Sequence, residues 1–85
     1  MQIKFIFTKK SENLFNKLDN IYKERIFDKL KYIKKQDNIF DYIKNLENML
    51  PATHRIRVWK LRLICKKENN NFIIINLWNR GDIYK

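Results

Sequence analysis

One cysteine, one proline and one glycine in 85 residues exclude several chemistries before any residue is given a role. The lone thiol, Cys65, forms no intramolecular disulfide; it fits a reducing compartment and offers no Cys/His metal cluster. A single glycine leaves no glycine-rich loop for nucleotide phosphates. No apolar run approaches the length of a membrane span, and the opening MQIKFIFTKK lacks the layout of a signal peptide. The expectation is a cytoplasmic protein with no membrane role, no metal and no cofactor. Acidic residues are also scarce, 9 against 19 Lys and Arg, and no carboxylate pair suggests glycosidase chemistry. Repeats, linkers and low-complexity segments are missing too, so residues 1–85 read as one domain with one modest core.

What is abundant is positive charge. A net charge of +10 points to a polyanionic partner. Lysine, asparagine and isoleucine dominate, a bias typical of AT-rich coding sequence, which lowers the weight of any one lysine. The helix lysines, such as Lys17, Lys29 and Lys31, read as a solvated face. Arginine says more. Four of the five, Arg55, Arg57, Arg62 and Arg80, fall after residue 54, and only arginine offers a planar fork that holds phosphate bidentately.

Along the chain, QIKFIF (2–7) reads as a strand with Ile3, Phe5 and Phe7 on one face. Thr8 or Ser11 caps a helix running to about Asp19. Asp19 caps a second helix, roughly 20–35, whose stripe is Tyr22, Ile26, Phe27, Leu30 and Ile33. Residues 39–50 fit a short third helix or an extended connection, ended by Pro51. From His54 the pattern turns to strands: 54–59, 61–67 and, after an Asn69–Asn71 turn, the apolar 72–78. An almost wholly apolar strand is expected to be central and covered on both faces. Cys65 and Trp78 are expected in or at the edge of the core. The fold class is α+β: a strand, a helical hairpin and a small antiparallel-rich sheet of four strands, with the arginines on the face away from the helices.

HRIRVWKLRLIC (54–65) followed by IIINLWNRGDIYK (73–85) resembles the C-terminal half of toxins of the RelE/ParE superfamily. Such toxins show basic–x–basic, a turn, an apolar residue followed by Arg, an apolar strand, then Arg and a nearby Tyr. These fall here on Arg55, Arg57, Arg62, Arg80 and Tyr84. The resemblance implies a toxin of a toxin–antitoxin system, restrained by a cognate antitoxin in a hetero-oligomer. In the ribonuclease branch it enters the ribosomal A site and cuts mRNA. One departure stands out. The family often has glycine in the turn between the first two of these strands, where this chain has Trp59. Tryptophan at positive φ carries a steric cost, so a turn of another type or position is expected. Trp59 is either a base-stacking residue or a half-buried hairpin aromatic.

RNA can be cut without metal, because its own 2′-OH attacks the adjacent phosphate. The protein aligns the attack, stabilises charge on phosphorus and moves two protons. Arg62 and Arg80 suit the charge, while Arg55, Arg57 and Lys60 suit flanking phosphates. Arginine does not titrate near neutrality, so proton transfer falls to Tyr84, which the resemblance favours, or to His54. Alternation sets His54 on the face opposite Arg55 and Arg57. Asp82 either positions Arg80 or caps a turn. Each arginine alone reads as a solvated strand charge; the four with Tyr84 read as a site. Two other functions fit the same residues: a non-enzymatic DNA gyrase inhibitor of the ParE kind, and an inactive RNA-binding homologue.

Overall fold

The computed structural model describes residues 2–79. Its elements are strand β1 (Lys4–Phe7), helices α1 (Lys9–Asn16) and α2 (Asn20–Lys34), a 3₁₀ turn (Ile39–Asp41), and strands β2 (Ile43–Asn45), β3 (His54–Val58), β4 (Leu61–Glu68) and β5 (Asn71–Asn79). Two helices lie on one five-stranded mixed sheet of order β1-β5-β4-β3-β2. β1 and β5 are parallel, and the other three pairings are antiparallel.

The α+β class matches the sequence reading, but the sheet has five strands rather than four. The extra one is β2, in the segment that fitted a third helix. Phe40, Ile43, Leu46 and Leu50 have helical spacing, yet Ile43 and Lys44 pair with Ile56 and Arg55 instead. The edge of β3 offers unpaired backbone groups, and their pairing overrides a weak local preference. Leu50 is 84% exposed in the loop that follows, so the fourth position of the supposed stripe buries nothing.

Thr8 is the N-cap of α1: its hydroxyl accepts from the Ser11 amide at 3.2 Å. Ser11 lies inside the helix and is fully buried, its single hydroxyl proton shared between the carbonyls of Thr8 and of Ile74 in β5. That bond ties α1 to the central part of the sheet and satisfies a buried polar group. In α2 the buried stripe is Ile26, Leu30 and Ile33, narrower than expected. Phe27 is 50% exposed and meets the core residue Phe15 edge-on, with ring centroids 5.2 Å apart.

The core lies between the helices and one sheet face. It is built from Ile26, Leu30 and Ile33 of α2 against Ile56, Val58, Leu61, Leu63, Phe72, Ile74 and Leu77. Cys65 is wholly buried there, and burial pushes its thiol up to about 12. Among the described residues, no helix is long and apolar enough to cross a membrane.

β5 is interior in strand order, as its apolar sequence suggested, but only one face is sealed. Phe72, Ile74 and Leu77 are buried, while Ile73 and Ile75 are half-buried and Trp78 is 37% exposed. Trp78 therefore belongs to the face away from the helices, not to the core.

Candidate functional site

Side chains alternate across a strand, and the burial pattern of β3 shows the alternation directly. Ile56 and Val58 are buried under the helices; Arg55 is half-buried and Arg57 exposed on the other face. β4 does the same with Leu61, Leu63 and Cys65 inward and Arg62 and Ile64 outward. Register then decides which outward groups meet. Arg57 is directly opposite Arg62, and Arg62 is opposite Trp78. The neighbouring row runs Lys44, Arg55, Ile64, Asn76. The sheet thus carries two like-charged cross-strand pairs, Arg57 with Arg62 and Lys44 with Arg55. Directly opposed residues are close enough to interact, and like charges there are destabilising.

Among the described residues none of these four cations is in an ion pair, although Asp41 shares a cleft with Lys44, Arg55 and Arg57. The one ion pair among the described residues joins Lys66 to Glu68 at 3.0 Å. In the second row, Ile64 is 2% exposed yet lies outside the helix-side core. The basic face therefore includes one solvent-excluded apolar residue, Ile64, beside Arg55 and Arg62. Among the described residues no group of three or more His, Cys, Asp or Glu is placed to hold a metal ion.

The β3–β4 hairpin closes with only Trp59 and Lys60 between the paired Val58 and Leu61. Trp59 has φ 56°, the conformation that was expected to exclude it. The turn is neither displaced nor of a kind that avoids positive φ. What offsets the strain is visible around the indole. The Arg25 guanidinium of α2 stands 4.3 Å from the ring centre, and Tyr22 meets it edge-on at 5.5 Å. The Arg57 Nε donates to the Trp59 carbonyl at 3.3 Å. Trp59 is 46% exposed, so part of the indole still faces solvent. Lys60 is exposed beside it.

His54 lies on the helix side of the sheet, opposite the arginines. Its ring packs between Phe40 and Phe72, with centroids 5.9 and 5.6 Å away. Nδ1 is 2.7 Å from the Thr53 hydroxyl. Burial, then the nearby Lys67, lowers its pKa below the ordinary histidine value. It borders a cleft of about 410 Å³ with Phe40, Ile43, Lys44 and Asn45.

The sequence grouped Arg55, Arg57 and Arg62 correctly by face but did not identify Lys44 or Trp78 as their neighbours. Lys44 was hidden inside a helical pattern. Trp78 followed a run so apolar that it suggested burial, although counting from Leu77, alternation sets it beside Arg62. Arg80 and Tyr84, with Gly81 and Asp82, lie outside the described residues. Compared with known proteins, the chain matches no family model and no curated relative.

Proposed function

We propose that the chain is a RelE/ParE-like toxin that binds mRNA in the ribosomal A site and cuts it without metal, under the control of an antitoxin. The observation that carries the reading is the two opposed cation pairs, Arg57–Arg62 and Lys44–Arg55, none of them in an ion pair among the described residues. A fold gains nothing from setting like charges opposite each other. An anion bridging them turns that repulsion into charge-assisted hydrogen bonding. A cationic face with the half-exposed Trp78 opposite Arg62 suits a nucleotide, whose base stacks while its phosphates meet guanidinium groups.

In this reading Arg62 stabilises the pentavalent phosphate together with Arg80, and Arg55, Arg57 and Lys60 hold flanking phosphates. The arginines leave proton transfer to another group, and His54 stands on the wrong side of the sheet for it. Tyr84 is the remaining assignment. The test is to map mRNA 5′ ends in a translating extract. Wild type should cut within codons, Arg80→Ala should abolish cutting, and Tyr84→Phe should reduce it. Intact mRNA with wild type defeats the enzymatic reading.

One observation favours a second reading, an RNA-binding homologue without activity: the arginine face of the described residues contains no group that titrates near neutrality. In that case binding falls steeply with salt while mRNA stays whole. Gyrase–DNA cleavage complexes without mRNA cuts would instead identify a gyrase inhibitor.

A further inference from the structure

The ladder between β2 and β3 stops where Ile43 pairs with Ile56. Beyond that point the outer edge of β3 is uncovered, and α2 stands across from it. Two clefts lie in this gap. One, about 370 Å³, is bordered by Arg25, Lys29 and Tyr32 of α2 and by Arg57 and Trp59. The other, about 280 Å³, is bordered by Lys29, Tyr42, Lys44, Arg55 and Arg57. Lys29 and Arg57 border both, so the clefts are neighbours along a trough-like edge from Trp59 to Lys44, with these two side chains where they meet. Arg57 and Arg55 also belong by register to the arginine face, so the trough joins that face at the sheet edge.

We propose that this trough is a second binding track for single-stranded RNA, leading a strand around the edge of β3 to or from the arginine face. The proposal rests on the RNA-binding part of the reading above and not on cleavage. Charge is the first argument. Five cations, Arg25, Lys29, Lys44, Arg55 and Arg57, face two carboxylates, Asp28 and Asp41, and none of the five is in an ion pair among the described residues.

Spacing is the second argument. Arg55 and Arg57 are two residues apart on a strand, about 6.6 Å, a step comparable to that between successive phosphates of an extended strand. Aromatic surface is the third. The Tyr32 and Tyr42 rings meet at 89° with centroids 5.3 Å apart and hydroxyls 3.2 Å apart. Lys29 stands 5.4 Å from the Tyr42 ring. Tyr32 is 49% exposed. Cations interleaved with exposed rings are the composition that tracks a single strand, since unpaired bases offer π-faces. A duplex keeps those faces stacked inside itself and brings only phosphates.

The test measures binding alone. A labelled decaribonucleotide with 2′-O-methyl groups cannot be cut by its own 2′-OH, and its anisotropy reports affinity without ribosomes. Arg25→Gln with Lys29→Gln should raise Kd about tenfold and lower the slope of log Kd against log salt by about 1.4, the share of two phosphate contacts on a single strand. Arg25 also packs on Trp59, so a second variant, Lys29→Gln with Tyr42→Leu, keeps that packing and should raise Kd about fivefold or more. Thermal melts establish that both variants are folded. The track is overturned if folded variants bind within twofold of wild type, or if wild type does not bind the oligonucleotide. It is also overturned if a duplex of equal length binds as tightly, or if polyglutamate displaces the RNA as well as unlabelled RNA does. Cleavage plays no part in this readout, so failure of the ribonuclease reading leaves the result interpretable, and the reverse holds as well.

Discussion

Arg57 and Arg62 stand directly opposite each other on β3 and β4, two guanidinium groups on one sheet face with no carboxylate set between them among the described residues. The pairing has opposite consequences for the free and the bound protein. Without a ligand it is repulsive; in the proposed reading a bound phosphate turns it into a clamp. Arg62→Gln is therefore expected to stabilise the free protein by a few tenths to about 1 kcal/mol at low salt. The gain should shrink at high salt, where exposed charges are screened. The same substitution should weaken RNA binding and, if the chain cleaves, lower the rate by about 10²–10³. Urea unfolding at two ionic strengths, set beside an RNA titration, checks both halves. A variant that is less stable at low salt than wild type would show that the two arginines do not repel.

Trp59 invites a substitution series, because strain and packing there are separable. Its φ of 56° costs a non-glycine residue about 1–2 kcal/mol. Arg25 over the ring and Tyr22 at its edge return an amount of similar size, about 1–2 kcal/mol together. Trp59→Ala keeps the strain and loses the packing, so it should destabilise by about 1–2 kcal/mol. Trp59→Gly loses both and should melt close to wild type. Equal melting temperatures for the Ala and Gly variants would mean that the backbone at this turn is unstrained.

How much of this was legible in the sequence depends on which interaction decides each element. Helix α2 and strands β3 to β5 follow from patterns that their own residues carry, such as Ile26–Leu30–Ile33 at helical spacing and Ile56–Val58 in alternation. β2 does not. Its three residues become a strand only because β3 presents an open edge, and no local signal in IKN encodes a partner nine or more residues away. The arginine face was legible as a set, since alternation alone groups Arg55 with Arg57. Its pairing was not, because Arg57 meets Arg62 only when the turn is the two residues Trp59 and Lys60, and the tryptophan argued against that turn. The α2–β3 trough was invisible because it joins Arg55 and Arg57, expected to contact phosphates, to a distant helix whose Lys29 read as solvated charge.

Cys65 supplies a test of core integrity. The thiol is fully buried and pushed up to about 12, so it is protonated at neutral pH and closed to reagents. Folded protein should react with an aromatic disulfide reagent only as fast as it unfolds, and denatured protein at once. Leu63→Ala, at a wholly buried neighbour, is expected to cost about 2–5 kcal/mol and to speed the labelling in proportion to the loss of stability. Rapid labelling of stable wild-type protein would contradict the packing around β4.

His54 gives the fold a pH dependence whose sign is fixed by its surroundings. Burial, then Lys67, lowers its folded pKa, whereas in the unfolded chain it titrates near about 6.5. In the window just below 6.5 the unfolded chain takes up a proton that the folded chain refuses, so protonation favours unfolding. The contribution is fully present above about pH 6.5, is lost as pH falls toward the lower folded value, and levels off once the folded imidazole is charged as well. Melting temperatures of wild type and His54→Gln from pH 8 to pH 5 isolate this effect, because the carboxylates titrate in both proteins. Wild type should lose more stability than the variant across the window. RNA binding by His54→Gln should stay within about twofold of wild type, since the ring lies across the sheet from Arg57 and Arg62 and its loss removes no phosphate contact. A variant with the same pH dependence as wild type would place the imidazole in water in both states, and with it would go the packing of His54 between Phe40 and Phe72.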